Sequence, residues 1–281
     1  MVSKQKGFND AFTESWYFIV FHNNLYLLPL VSLMFINWIL EAVKWQQLLK
    51  PLQKIDLYKS LKSVVSGVSL SFITVGGVGD YFGRSMFVDK KNLKSLIGVT
   101  VAGGVYQNLV TYFAGGIGII LYIEYQFKEV FYGLWLLLFV LFLLVFYLVL
   151  RVHLVSKIKF LKPFTYALSA YTLNEKLFIF SLSFSRYVII LVQYYLILQA
   201  LQVQIGYTDF FTGIALMLLL KSSIPRFSFL SDLGIREFSA LLFFTKIGLE
   251  PAVIISSTLM LWVINVLTPA IIGIFFILNR K

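Results

Sequence analysis

Five long apolar segments constrain the fold of this chain more than any other feature of its sequence. A helix crosses a bilayer with about 20 apolar residues, because a rise of about 1.5 Å per residue must cover about 30 Å of hydrocarbon. Five segments meet that length: residues 25–45, 95–123, 131–150, 177–201 and 251–278. Only 13% of the residues are charged, which is about half the usual share in a soluble globular protein. We therefore predict an all-α integral membrane protein, a multi-span helical bundle in which residues 1–281 form a single membrane domain.

Two further apolar stretches, residues 61–88 and 208–247, are interrupted in the middle by polar residues and by glycine or proline. Neither half of either stretch is long enough to cross the hydrocarbon, so we predict two re-entrant broken helices. Basic residues flank the first stretch on both sides, whereas a loop without basic residues precedes the second. We therefore expect the two stretches to enter from opposite faces. Interrupted segments at corresponding positions of two halves, here residues 25–123 and 177–278, are typical of inverted repeats with a site near the midplane.

Basic residues are concentrated in residues 44–62, 84–94 and 151–176 and at the C-terminus. By the positive-inside rule, these loops and the C-terminus are predicted to be cytoplasmic in a multi-pass protein of the cell membrane, inner or plasma. Trp38 and Trp45, near the end of the first span, are predicted to be interfacial anchors. The net charge of +11 is expected to face anionic lipid, and nucleic acid is not an expected partner.

Metal and cofactor sites are not predicted. The chain has no cysteine and only two histidines, so a thiolate or histidine metal site is not expected. The glycines of the first interruption lack the Gly-Lys-Ser/Thr of a phosphate-binding loop, and no βαβ pattern surrounds them. The sequence therefore predicts no cofactor.

Ionisable residues within apolar sequence are the main candidates for ligand binding. Each costs roughly 2.5–3.5 kcal/mol at the centre of an inserted helix, so such residues tend to face a cavity and to have partners. Glycines at an interruption let the backbone approach a ligand closely. No catalytic residue is predicted. The predicted substrate-binding residues are Gly76, Gly77, Gly79, Asp80, Arg84, Arg186, Lys221, Pro225, Arg226, Asp232, Gly234, Arg236 and Glu237.

Some of these residues carry specific expectations. Asp80 and Arg84 are four residues apart, so on a helix they share a face and can pair; Asp80 also suits a helix N-terminus. Arg226 and Arg236 are suited to phosphate, because guanidinium presents a planar fork of donors. Arg186 lies in the middle of an apolar run, and we expect it to face inward, with pairing to a structural carboxylate as the alternative.

Three segments resemble a known family of membrane domains. The segments are ILEAVKWQQLL, SLSFITVGGVGDYFGRSMFV and SSIPRFSFLSDLGIREFSALLF. They are similar to the lysylphosphatidylglycerol synthase transmembrane region, also called the flippase-like domain family. The resemblance covers residues 30–275. In the early motif, Val75 stands where proline is usual and Asp80 where glutamate is usual, and Arg84 matches the trailing arginine. The late motif is the more specific, and its residues Pro225, Gly234, Ile235, Arg236 and Glu237 are all in place.

The resemblance implies a role in lipid translocation or headgroup binding. In the family's best-understood members the membrane part is associated with moving a modified lipid between leaflets, and a soluble aminoacyl-transferase domain follows it. No such domain lies within these 281 residues, so synthase activity is not expected. The sequence therefore predicts a flippase-like protein that binds and translocates a phospholipid or a lipid-linked phosphate headgroup, with membrane lipids as its partners.

Other functions stay open on the sequence. A transporter of a small soluble anion would use the same inverted repeats, with an enclosed cavity instead of one open sideways to lipid. A membrane enzyme acting on lipid phosphates could use Asp80 or Glu237 as acid or base. A homodimer, or a complex with a separately encoded lipid-modifying enzyme, could form through the small residues Gly98/Ala102 and Ala114/Gly118, which internal packing also explains.

Overall fold

The computed structural model describes residues 8–74, 78–150, 169–224 and 229–279, and within these ranges the regular structure is helical, with no strand. The helices are α1 (Phe8–Tyr17), α2 (Leu27–Leu49), α3 (Leu57–Ile73), α4 (Val78–Ser85), α5 (Leu93–Phe127), α6 (Tyr132–Leu150), α7 (Leu173–Ala200), α8 (Tyr207–Ser223), α9 (Phe229–Phe244), α10 (Pro251–Trp262) and α11 (Thr268–Leu278). A π-helical turn, Val263–Leu267, joins α10 and α11 into one span. The predicted all-α fold is confirmed.

Five helical segments are long and apolar enough to cross a membrane, and each corresponds to a predicted span. They are Asn24–Leu49, Ser95–Phe127, Tyr132–Leu150, Leu173–Ala200 and Pro251–Leu278. The largest difference at a start is in α7, which begins at residue 173 instead of 177. Thr172 and Glu175 form a capping box there, so the helix starts at that signal and not at the first residue of the apolar run.

α3 and α4 form the first re-entrant hairpin, and Asp56 caps the start of α3. Their 17 and 8 residues extend only about 25 Å and 12 Å, so neither helix can cross the hydrocarbon. The two helices pack very closely, because a Cβ on Gly83 would lie 2.3 Å from the Ser66 carbonyl oxygen. The tip reaches the middle of the last span, where the rings of Phe72 and Trp262 are 5.7 Å apart.

α8 and α9 form the second hairpin, with 17 and 16 residues. Gly213 of α8 lies directly under the ring of Phe244, the last residue of α9, so the two helices are closely packed where the hairpin opens. At the tip, the Tyr112 hydroxyl donates a hydrogen bond to the Ser222 carbonyl oxygen at 3.3 Å. Because Tyr112 lies near the middle of α5, this tip also lies at mid-bundle.

The two hairpins open at opposite ends of the bundle, as predicted. We call the end where α2 ends and α3 begins the basic end. Lys50, the residue that follows α2, pairs there with Glu175 of α7 at 2.5 Å. At the other end, the Asn23 side chain donates a hydrogen bond to the Ala200 carbonyl oxygen at 2.7 Å. The first hairpin therefore opens at the basic end, and the second, which follows Ala200, opens at the other end.

The two halves exchange packing partners reciprocally. α2 and α7, the spans that precede the hairpins, pack against each other. α3 packs against α11, in the span after the second hairpin, and α8 packs against α5, the span after the first. A Cβ on Gly273 would lie 2.2 Å from the Val65 carbonyl oxygen, and Gly118 lies against Ala215. This reciprocity is the pattern expected of inverted repeats, and it uses Gly118 for internal packing.

Two helices lie outside this arrangement. α1 packs against α10, and the turn that follows it buries Ile19 completely. α6 packs mainly on α5, and Val149 is its one buried residue. Most of the α6 surface is therefore apolar and exposed, as expected of a helix surrounded by lipid.

Candidate functional site

A cavity of about 600 Å³ lies between the tips of the two hairpins. Its lining comes from α2 to α5, from α7 to α9 and from the last span. Six predicted binding residues meet there although they are far apart in sequence: Asp80, Arg84, Arg186, Lys221, Asp232 and Arg236. Further polar residues of the lining are Asn37, Glu41, Lys44, Ser71, Thr74, Thr100, Gln107, Asn108, Tyr194 and Asn265.

Glu41 of α2 is the centre of a first charge cluster. Its carboxylate accepts a hydrogen bond from Arg84 at 3.0 Å and is paired with Lys44 at 2.7 Å. It also pairs with Arg186. The side chain of Glu41 is only 8% exposed. One buried carboxylate therefore connects α2, α4 and α7 and neutralises only part of the positive charge around it.

Arg84 is held from several sides. Its Nε donates to Asp80 at 2.8 Å, which confirms the predicted pair on one helix face. Its guanidinium lies 4.6 Å from the centre of the Trp45 ring. Trp45 is fully buried and donates from its indole nitrogen to Ser63 at 3.0 Å. The prediction that Trp45 is an interfacial anchor is therefore wrong, because the ring packs inside the bundle beneath Arg84. Trp38, for which the same role was predicted, lines the cavity.

Arg186 of α7 faces the cavity, as predicted. Its Nε donates to Asn37 at 2.9 Å, and its Nη1 donates to Gln107 at 3.3 Å. The same Nη1 pairs with Glu41. Both expectations for this arginine therefore hold together: it points inward, and it is paired with a carboxylate.

A second charge cluster lies on the second hairpin. Lys221, near the end of α8, is 3.7 Å from the Asp232 carboxylate. Arg236 donates to Glu237 at 3.1 Å, and Glu237 also accepts a hydrogen bond from the Thr258 hydroxyl of α10. Arg236 is 4% exposed, and its Nε has no hydrogen-bond partner among the described residues.

The lining carries an excess of positive charge. Among the described residues it contains five basic side chains, namely Lys44, Arg84, Arg186, Lys221 and Arg236. It contains three acidic ones, namely Glu41, Asp80 and Asp232. Glu237 does not line the cavity, but it pairs with Arg236 and offsets one further positive charge. The remaining excess of one positive charge in a low-dielectric cleft focuses the field and attracts anions. Three of the five cations are arginines, whose guanidinium geometry suits a phosphate group.

The cavity reaches the outer surface of the bundle along α5. Gly104 and Asn108 line the cavity and are exposed. Ile97, Val101 and Tyr112 continue the same exposed face of the helix without lining the cavity. A Cβ on Gly104 would meet no atom within 4 Å. The cavity is therefore open sideways near the middle of a membrane-spanning helix.

The π-helical turn Val263–Leu267 faces the cavity from the last span. Pro269 has no N–H to donate to the carbonyl of Asn265, and the wider turn accommodates that missing hydrogen bond. The Asn265 amide donates to Gln193 at 3.0 Å, and its side-chain oxygen has no partner among the described residues. π turns of this kind are frequent at functional sites.

The remaining predicted binding residues lie elsewhere. Gly76, Gly77, Pro225 and Arg226 lie outside the described residues. Gly79, Gly234 and Glu237 are described but do not line the cavity. A Cβ on Gly79 would lie 2.2 Å from the Leu70 backbone, so this glycine lets α4 pack on α3. Gly234 is exposed. Glu237 does not line the cavity itself but pairs with Arg236, which does.

Sequence reasoning missed several residues of the site, among them Glu41, Lys44 and Asn265. Glu41 and Lys44 lie near the end of an apolar span, where the charges resemble the edge of the membrane. Their spacing of three residues, on one helix face, was the available signal. For Asn265 the signal was a proline four residues later, which removes the hydrogen bond to its carbonyl.

Residues 20–273 match the family model of the lysylphosphatidylglycerol synthase TM region. The chain belongs to this family. The matched range contains both hairpins and every residue that lines the cavity, so the resemblance found at the two broken segments is confirmed over nearly the whole chain. No curated protein shows significant sequence similarity to this member of the lysylphosphatidylglycerol synthase transmembrane-region family.

Proposed function

We propose that this member of the family binds the phosphate-bearing headgroup of a membrane lipid in the central cavity and moves it between leaflets. The observation that carries the proposal is the excess of positive charge in a cavity that opens sideways at Gly104 and Asn108. A lipid needs a polar path only for its headgroup, because its chains stay in the bilayer. A soluble anion has no need of an opening toward lipid.

The arginines are the proposed ligands of the phosphate. Arg236 is buried with an unpartnered Nε among the described residues, so it has a donor to offer. Arg84 and Arg186 are partly neutralised by Glu41. A lipid phosphate would replace that carboxylate as their acceptor, because both groups accept paired hydrogen bonds from guanidinium.

Movement of the headgroup follows from the two hairpins. They open at opposite ends of the bundle and meet at the cavity, so rocking one half against the other would expose the cavity alternately toward each leaflet. The basic end is proposed to face the cytoplasm of a cell membrane, because lysine and arginine are retained on that side.

Reconstitution in liposomes tests the proposal. Fluorescent phosphatidylglycerol or phosphatidylethanolamine is placed in both leaflets, and the fraction that becomes accessible to an external quencher is followed with time. We expect protein-dependent scrambling that falls about 10- to 100-fold in Arg236→Gln, since a lost charge-assisted hydrogen bond is worth about 1.5–3 kcal/mol. The matched control is Lys246→Gln, which removes one exposed positive charge outside the cavity.

The outcomes separate the candidate functions. Scrambling that is lost in Arg236→Gln and kept in Lys246→Gln supports the lipid proposal. Absence of scrambling, together with uptake of phosphate or another soluble anion into the same liposomes, would replace it by soluble-anion transport. Equal rates in folded wild type and folded Arg236→Gln would exclude Arg236 from the path.

A further inference from the structure

A second cavity of about 810 Å³ lies at the basic end, and it shares no lining residue with the central cavity. It lies between the start of α3, the segment that follows α4, and the end of α11. We call it the basic groove and define it by the residues used below: Tyr58, Lys59, Lys62, Asp89, Phe275 and Phe276. Nothing in the proposed translocation mechanism uses this groove.

Aromatic rings hold one lysine of the groove in place. The Lys62 ammonium lies 4.2 Å from the centre of the Tyr58 ring and 5.3 Å from that of Phe276. Within the described part of the chain, Lys59 and Lys62 form no salt bridge with a carboxylate. Cation–π contacts orient an ammonium without neutralising it, so Lys62 keeps its full charge for an anion in the groove.

The walls of the groove suit lipid chains. Tyr58 is 60% exposed and Phe275 is 63% exposed, although both are large aromatic residues. Tyr58 lies at the opening of the first re-entrant hairpin, and Phe275 lies near the end of the last membrane-spanning segment. At such positions aromatic side chains meet the headgroup region. Phe275 and Phe276 thus present an apolar surface directly beside the two lysines.

The charge of the groove indicates which headgroup fits. Lys59 and Lys62 carry two positive charges and Asp89 carries one negative charge, which leaves one positive charge in excess. That excess matches a phosphodiester with a single negative charge. A basic pocket between helix ends on the side rich in lysine is a recognised arrangement for anionic headgroups.

We propose that the basic groove is a binding site for a singly charged anionic phospholipid such as phosphatidylglycerol, separate from the central cavity. The phosphate lies between the ammonium groups of Lys59 and Lys62. The acyl chains pack along Tyr58 and Phe275 into the adjoining bilayer.

Lipid titration tests this site. Short-chain phosphatidylglycerol is added to the detergent-solubilised full chain carrying Arg236→Gln, and bound lipid is measured by native mass spectrometry. This background weakens the central cavity, so the result does not depend on the proposed function. We expect Lys59→Gln/Lys62→Gln to weaken binding about thirty-fold, since each lysine near an anionic surface contributes about a factor of five.

Two controls make the test specific. Lys90→Gln/Lys91→Gln removes the same charge from exposed lysines near the groove that do not line it, and we expect it to change the affinity less than threefold. Lys62→Arg keeps the charge and the aromatic contacts, and it should bind phosphatidylglycerol as the parent does.

The remaining outcomes overturn the proposal. An equal loss in both double variants would mean diffuse attraction to the basic end instead of a site. An unchanged affinity in Lys59→Gln/Lys62→Gln would place the lipid elsewhere. Soluble glycerol phosphate binding as tightly as the lipid would assign the groove to a free phosphate compound.

Discussion

Removal of the Glu41 carboxylate should destabilise the bundle strongly. Glu41→Gln leaves Lys44 and Arg186 without a carboxylate partner among the described residues and leaves Arg84 with Asp80 alone. Breaking a buried ion pair by removing one partner costs about 3–5 kcal/mol, because the other charge stays buried. A change of 1 kcal/mol lowers the midpoint of thermal unfolding by about 2–4 °C in a large domain. The expected decrease is therefore roughly 6–20 °C.

Tryptophan fluorescence during heating of the purified protein in detergent measures this decrease, since Trp45 lies under the cluster. Lys50→Gln is the matched control, because it breaks the 2.5 Å pair with Glu175, whose two side chains are 51% and 24% exposed. An exposed pair contributes less than about 1 kcal/mol, so its midpoint should fall by less than about 4 °C.

An anionic lipid should partly restore the Glu41→Gln variant. A phosphate in the cavity would supply the acceptor that Arg84 and Arg186 have lost, so phosphatidylglycerol should raise the midpoint more in the variant than in wild type. A decrease in Glu41→Gln no larger than that in Lys50→Gln would refute the reasoning, since it would mean that the three cations do not depend on this carboxylate.

Other substitutions test the hairpin, the opening and the π turn. Gly79→Ala should lower the unfolding midpoint markedly, because its Cβ would lie 2.2 Å from the Leu70 backbone; a midpoint within the error of wild type would contradict this packing. Gly104→Ala should raise the midpoint slightly, by about 1–4 °C, since its Cβ meets no atom within 4 Å and alanine is about 0.5–1 kcal/mol more favourable than glycine inside a helix. Gly104→Trp should keep the fold and slow lipid scrambling at least tenfold by filling the opening, and normal scrambling in that variant would move the path away from α5. Pro269→Ala restores a donor for the Asn265 carbonyl, so we expect an unchanged or raised midpoint together with reduced scrambling; unchanged scrambling would mean that the π turn has no part in translocation.

Several parts of the structure follow from local sequence alone. The spans are visible because about 20 apolar residues in a row have few alternatives to crossing a bilayer. The hairpins are visible because each interruption leaves helices too short to cross, and the basic loops indicated their opposite directions. The pair Asp80–Arg84 was predictable because helix geometry alone brings residues four apart onto one face.

The site depended on contacts between distant segments. Glu41 meets Arg186 across 145 positions of the chain, and no local pattern encodes that meeting. Trp45 has the composition and position of an interfacial anchor, yet it is buried because Arg84, from another helix, lies over its ring. Which face of a helix is covered depends on its neighbours, and the sequence of one span does not contain them.

The sequence by itself determined that this chain is a membrane-spanning helical bundle with two broken helices, because the cost of exposing backbone and charge to lipid acts on each segment separately. Tertiary structure decided that the charges of both hairpins meet in one cavity and that Glu41 holds three cations there. It also decided that the cavity opens along α5. Electrostatic pairing and packing are properties of distance in space, and helices far apart in sequence acquire those distances only when they pack together.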